Sequence, residues 1–340
     1  MKTICAATLI IAFLAATEGT VAFPSTGTTS LREEAAKKNI TIGSGAISPT
    51  YLKDPEFAAV LAYQFNSLSP ENEMKWSLLE PTPGYFNWGT IDTLVEFAEA
   101  HDMVVKGHGL ISGCCDPDYL LNITEPTAFR AAMTAHFRAV MQRYHGKVDR
   151  WDVVTEALKT MGGGLDTNST FYKVLGPDYI EYAFRIARAA DRDAKLFINE
   201  SLVESLLNKR QELYDLVSRL VANGVPITGV ALEMHITETA PIPGVITDIV
   251  NSYRALGLEV TISEMDVHTL NSTLQADIYG AVIEEALDAG ITDISFWGFT
   301  DKHAYTWVSG AKPLMFNETY YPKPAFYATH TSLTNFVNMP

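Results

Sequence analysis

The chain has 340 residues, 47% of them hydrophobic and 19% charged, with a formal net charge of −15. That length and apolar content fit one large α/β barrel or two ordinary domains and exclude a globally disordered chain. An acidic surface with no basic stripe excludes nucleic acid as a partner, because phosphates are repelled, and suits neutral or weakly charged ligands.

Residues 1–22 read as a secretory signal peptide. Lys2 supplies the positive start, ICAATLIIAFLAA (4–16) the apolar run, and Thr20 and Ala22 the small residues near a cleavage point. The run is short for a membrane span, and no other stretch approaches about 20 apolar residues. A secreted, extracellular protein with no membrane association is therefore expected, with residues 23–340 forming one domain. Sequons at Asn39, Asn122, Asn168, Asn199, Asn271 and Asn317 agree with a eukaryotic secretory route. Cys5 leaves with the signal. Cys114 and Cys115 are adjacent, which excludes a disulfide framework and a C-x-x-C metal spacing and leaves either a vicinal disulfide or two thiols.

Beyond the signal, short apolar runs alternate with longer amphipathic ones. Strands are predicted at 40–46, 65–69, 103–109, 150–156, 195–200, 226–235, 258–267 and 291–299. Between them, apolar residues recur every three to four positions at 91–102, 127–144, 177–191, 209–224 and 275–290, which predicts helices. Gly224 and Gly290 close two of these as C-terminal stops. Eight strands alternating with helices predict a single (β/α)8 TIM barrel. An open doubly wound sheet would want a glycine-rich turn after the first strand, and GSGA (43–46) is a poor G-x-G-x-x-G.

In such barrels the carboxyl ends of the strands face the active site. Here those ends are polar: Glu71 and Asn72, His108, Glu156, Asn199 and Glu200, Glu233 and His235, Glu264 and Asp266, then Trp297. Glutamates on different strands suggest facing carboxylates, the pair that glycoside hydrolysis needs, one to protonate the leaving oxygen and one to attack or assist at the sugar carbon. Crowding raises the pKa of one partner and keeps it an acid near neutrality. Trp76, Trp88, Trp151, Trp297, Trp307 and Tyr305 suit stacking on sugar rings, with core packing the plainer role for Trp88 and Trp151. His108, His235 and His268 lack H-x-H or H-E-x-x-H spacing, so no metal is expected, and no G-x-S-x-G elbow points to a serine hydrolase.

FNSLSPENEMKW (65–76), WDVVTEA (151–157), LGPDYIEYAFRIARAADRDAKLFINE (175–200), VTISEMDV (260–267) and YYPKPAFYA (320–328) resemble glycoside hydrolase family 10, chiefly retaining endo-β-1,4-xylanases on a (β/α)8 barrel. The resemblance runs in order over residues 40–330. It implies Glu156 as general acid/base and Glu264 as nucleophile. Glu71, Asn72 and Lys75 would hold the sugar on the non-reducing side, His108 and His235 would lie near the reacting sugar with His235 orienting the nucleophile, and Trp297 would form a platform beneath it. The implied chemistry is double displacement through a covalent glycosyl-enzyme, without a cofactor, on a β-linked oligo- or polysaccharide by a monomer.

The departures from the family pattern lie in the sugar-contacting shell. Thr155 replaces an asparagine that contacts the 2-hydroxyl, and a threonine carries one short polar group rather than two. In GHGLISGCC (107–115), Ser112 and Gly113 stand where tryptophan and histidine are common. Glu233 replaces a frequent glutamine, Glu200 and Ser201 an acidic–aromatic pair, and Tyr305 falls near a frequent tryptophan. A secreted xylanase is the leading expectation. A relative acting on another β-glycoside, such as a plant steroidal glycoalkaloid or saponin, and a weakly catalytic carbohydrate-binding protein are the alternatives.

Overall fold

The computed structural model describes residues 26–339, so the signal-peptide segment 1–22 lies outside the described residues. Eight parallel strands form a ring: β1 (Thr41–Ile47), β2 (Ser67–Pro70), β3 (Val104–Gly107), β4 (Val148–Thr155), β5 (Lys195–Glu200), β6 (Gly229–Leu232), β7 (Glu259–Val267) and β8 (Asp293–Phe296). Each pairs with its neighbour in sequence, and β8 returns to β1 with Thr41 opposite Asp293, which closes the barrel. This is the expected (β/α)8 TIM barrel.

The predicted helices appear at Trp88–Ala100, Pro126–Arg143, Tyr179–Ala190, Leu207–Ala222 and Ser272–Asp288. Their limits follow local chemistry. Glu125 caps one start by accepting from the Thr127 and Ala128 amides, with Pro126 pre-set for the first turn, and Asn271 caps another through Thr273 and Leu274. Gly224 and Gly290 stop two helices at φ of 64° and 87°, where a side chain would be strained.

Strand alternation sorts β4 into two faces. Arg150 reaches Thr261 and Asp293 across the barrel, so Arg150 and Asp152 face inward. Trp151 faces the other way and is fully buried. Its ring occupies the space beside Gly107, where an added Cβ would come within 2.3 Å. Trp76 is also core: its indole stacks on His136 at 4.0 Å and donates to the Tyr119 hydroxyl at 2.7 Å. Neither tryptophan is a sugar platform, which corrects that expectation for Trp76.

The floor of the barrel is ionic. Lys106 pairs with Asp293 and donates to Ser295 at 2.7 Å, while Arg150 approaches Asp293 at 3.2 Å. Burial pulls the Lys106 amine down to about 8 even beside this carboxylate. Alternate residues then climb from this layer to the mouth: Lys106 to His108 on β3, Arg150 to Asp152 on β4, and Asp293 through Ser295 to Trp297 on β8.

Two register irregularities sit just below the mouth, in β4 between Asp152 and Val154 and in β7 between Ile262 and Met265. Such bulges re-aim the side chains that follow. The sixth strand is shorter than its sequence suggests. It stops at Leu232 because Met234 adopts φ of 61°, and the chain resumes pairing at His235–Ile236, against Asp266 and Val267.

Replacing Asp293 by asparagine leaves Lys106 and Arg150 buried without their counter-charge. The expected loss is about 3 kcal/mol of unfolding free energy, read from guanidinium melts at neutral pH. A loss below about 1 kcal/mol would show that the ionic floor is dispensable.

Candidate active site

Glu264 lies in the irregular part of β7, buried at the centre of the mouth. Its carboxylate accepts from the Asn199 amide on β5 at 2.6 Å. His235 Nε2 stands 3.5 Å from one of its oxygens and His108 Nδ1 3.7 Å from the other. Burial opposes ionisation, but His108, His235 and Asn199 together outweigh it and hold this carboxyl down, at about 2.

Each imidazole also meets an aspartate, His108 through the same Nδ1 that faces Glu264 and His235 through its other nitrogen. Asp152 Oδ2 lies 3.3 Å from His108 Nδ1, and Asp266 Oδ1 lies 2.8 Å from His235 Nδ1. Burial disfavours a charged His235, yet the Asp266 carboxylate, then Glu264 and Glu233, raise it well above an ordinary histidine. His268 Nε2 is also 2.8 Å from Asp266, and its ring stacks on Trp307 at 3.7 Å. His235, Asp266 and His268 could gather three donor atoms around a cation, but the Asp266 oxygen they offer is already hydrogen-bonded to His235.

Glu233 is buried beside this group. Its Oε1 accepts from the same Asn199 amide at 3.2 Å, and its Oε2 lies 3.6 Å from His235. Burial first, then the charges of Glu264 and Glu156, push it well above the usual carboxylate range, toward the neutral form. A neutral carboxylic acid has one donor and an acceptor, close to the hydrogen-bonding capacity of a glutamine.

Glu156 follows β4 directly, exposed to the cleft, on a left-handed backbone with φ of 55°. That conformation costs a non-glycine residue about 1–3 kcal/mol. The ladder still holds it, because its amide donates to Asn199 O at 2.9 Å. The loop after β3 runs alongside: Leu110 N donates to Asp152 O and Ile111 N to Val153 O. This brings Gly113 against the Glu156 carboxylate, where an added Cβ would lie 3.1 Å from Oε2. Farther along the loop, Cys114 and Cys115 form a vicinal disulfide, settling the two states that their adjacency left open.

Across the mouth, Glu71, Asn72 and Lys75 follow β2. Tyr51 donates to Glu71 at 2.8 Å and Lys75 to Asn72 at 3.0 Å. The Trp297 ring lies against the backbone at Gly45 and 5.1 Å from His108. Thr155 is buried, and its Oγ1 is enclosed with no hydrogen-bond partner. Glu200 is on the opposite face of β5, ion-paired with Lys209 at 2.8 Å, and takes no part in the cleft. Asn199, first noticed as a sequon and a strand end, is the amide that joins Glu233 to Glu264, so it is closed to a glycan in the folded barrel. Asp152 was missed altogether. The signal for it was present, since it sits on the inward face two residues from Val154 and opposite the line of His108.

One carboxylate is thus held ionised and aimed inward, while another, at the end of a different strand, is exposed in the cleft. A parallel barrel carrying that pair at its carboxyl-terminal mouth, with aromatic and polar sugar-type contacts around it, defines a glycoside hydrolase. The profile of the family described as "Glycosyl hydrolase family 10" matches residues 30–332. Endo-1,4-beta-xylanase B of Thermotoga neapolitana is 35% identical over 323 residues, covering 88% of this chain and 90% of its own. Native xylanase 10B from Thermotoga maritima superposes with a TM-score of 0.85 at 35% identity, over 91% of this chain and 99% of that one. Xylanase 10B from Thermotoga petrophila, solved with xylobiose, gives 0.86 at 34% identity, over 93% and 100%. The chain belongs to glycosyl hydrolase family 10.

The raised Glu233 has a pH signature. With a folded pKa above its unfolded one, it binds more protons in the native state, so its contribution is complete at low pH and lost as pH rises through the folded value. Glu233→Gln removes that loss. Its melting temperature relative to the parent should be higher at pH 8 than at pH 4, and its alkaline activity limb should move to higher pH. A parallel shift at both pH values would mean that Glu233 does not titrate as its surroundings dictate.

Proposed function

We propose that the protein is a secreted, monomeric endo-β-1,4-xylanase that cleaves plant cell-wall xylan with retention of configuration, its mature chain beginning near residue 23. The observation that carries this reading is the asymmetry of the two glutamates. Glu264 is buried and ionised amid His108, His235 and Asn199, and Glu156 is open to the cleft. The xylanase names of the relatives, and xylobiose in one of their structures, support xylan as substrate.

In this mechanism Glu264 attacks the anomeric carbon while Glu156 gives its proton to the departing glycosidic oxygen. The glycosyl–Glu264 ester is then opened by water, which loses its proton to Glu156, and Glu264 is released as a carboxylate. Each displacement inverts the carbon, so the product keeps the β configuration. Asp266 and Asp152 hold the two imidazoles in place. Glu71, Asn72 and Lys75 grip the sugar on the non-reducing side, with Trp297 beneath it. Protonated Glu233 takes the part of a glutamine beside Glu264, and Thr155, with its Oγ1 enclosed, leaves the 2-hydroxyl without the contact an asparagine would make. No step calls for a metal or cofactor. A silent carbohydrate-binding protein would have no use for a carboxylate kept ionised at this depth. Another β-glycoside as substrate has its own support on the far side of Glu156, where the cleft wall turns apolar.

The test is hydrolysis of xylan and of xylohexaose followed by NMR. Xylo-oligosaccharides should appear with the β anomer first, and Glu264→Gln should lower the rate by roughly 10³-fold or more. Release of the α anomer first, or unimpaired turnover by Glu264→Gln, would exclude the mechanism. Glu156→Ala should still form the glycosyl-enzyme from a xylobioside with an acidic phenol, since that leaving group needs no proton. Azide should then restore turnover by replacing the water that Glu156 no longer activates.

A further inference from the structure

The mouth of the barrel has two unlike halves. Glu71, Asn72 and Lys75, after β2, present charge and amide groups on one side. On the opposite side the loops after β4, β5 and β6 enclose a recess of about 720 Å³, bounded also by Trp307 from the loop after β8. Glu156 and His235 line this recess, so it opens directly onto the carboxyl proposed as proton donor. A group on the leaving oxygen must travel that way, because the acid lies on the leaving-group side of the scissile bond.

The outer wall of the recess is largely aliphatic. Met161, Leu207 and Ile242 are 66%, 73% and 73% exposed, and Leu202, Pro241 and Val245 continue the surface. Branched aliphatic side chains offer no flat face for a pyranose and no partner for its hydroxyls, and exposing them to water is unfavourable. The one ring, Trp307, is already committed by one face to His268. Polar residues interrupt the wall: Thr160, Ser201, Ser205, Arg210, Thr237 and Thr239 also line it, and among them sits one buried acid. Glu204 is 2% exposed, its Oε1 accepts from Ser205 at 2.9 Å, and its Oε2 has no partner. The volume lies within the about 300–1,000 Å³ that pockets for medium-sized organic ligands span.

We propose that this recess is an aglycone site that accepts β-glycosides whose leaving group is an extended apolar alcohol or phenol. The inference rests on the glycosidase reading only for the position of Glu156 as acid. Such a leaving group would bury its rings against Leu207, Ile242 and Met161. The glycone would keep its contacts on the β2 side. The reaction is unchanged: the C1–oxygen bond breaks, the proton of Glu156 goes to the departing oxygen, and water completes the hydrolysis.

The experiment compares phenyl β-xylobioside with 4-cyclohexylphenyl β-xylobioside, whose leaving phenols are nearly equal in acidity and differ in apolar length. Tenfold or greater preference in kcat/KM for the longer substrate is expected. Ile242→Asp and Leu207→Asp, made separately, should each abolish the preference while changing phenyl xylobioside turnover less than threefold. Equal kcat/KM for the two substrates, or a preference that neither substitution alters, would overturn the assignment. Free 4-cyclohexylphenol and phenol, titrated by Trp307 fluorescence and calorimetry, keep the two readings separable. If neither xylobioside is cleaved, the glycosidase reading fails, yet selective binding of the longer phenol, lost in Ile242→Asp, still upholds the recess. Failure of both phenols to bind, or a concentration-dependent dimer in sedimentation that Ile242→Asp dissolves, assigns the face elsewhere and overturns the proposal.

Discussion

A carboxylate removed from water costs several kcal/mol unless charge and hydrogen bonds replace its hydration. Around Glu264 that replacement comes from three directions: His108 just after β3, Asn199 on β5 and His235 after β6, with Asp266 on β7 holding the far side of His235. No two neighbouring strands could supply it. Closure of the barrel is therefore the condition for an ionised Glu264, and the ionic floor of Lys106, Arg150 and Asp293 is part of what fixes the spacing of the strands beneath it.

The same cluster decides the state of its neighbours. Asn199 donates one amide to two acids, and only one of those acids can be charged at so short a range. The hydrogen bond to Glu264 is the shorter, and His235 and His108 flank that side, so the proton stays on Glu233. A glutamate standing where the family has a glutamine is thereby accommodated without a second buried charge. Backbone strain serves the same end at the rim. Glu156, Leu202 and Met234 all adopt positive φ at or just beyond the ends of β4, β5 and β6, turning the chain away from the ladder where the cleft begins.

The altered shell has a consistent physical sense. Gly113 leaves open the space beside the Glu156 carboxylate that a bulky residue would fill, and Thr155 withdraws a polar group that now has no partner in the protein. Beyond Glu156 the cleft wall is partly aliphatic, while Glu71, Asn72 and Lys75 keep charge and amide groups on the β2 side. The chemistry and the specificity of the cleft are thus carried by separate strands, as the barrel allows when each loop varies independently.

Much of this was legible before any coordinates. Periodicity marked the eight strands and the helices between them, and strand ends marked Glu71, His108, Glu156, Glu233, His235 and Glu264, because alternation and termini are local properties written in neighbouring residues. What the sequence could not carry was distance between residues far apart in the chain. Only the closed barrel placed Asn199 between two glutamates, put Asp152 beside His108, buried Trp76 on His136, joined Cys114 to Cys115 and set Leu207, Met161 and Ile242 around one recess. Sequence alone determined which strand delivers which functional group. Tertiary structure decided their charge states and the shape of the cleft, because those depend on what each group faces across the barrel rather than on what precedes it in the chain.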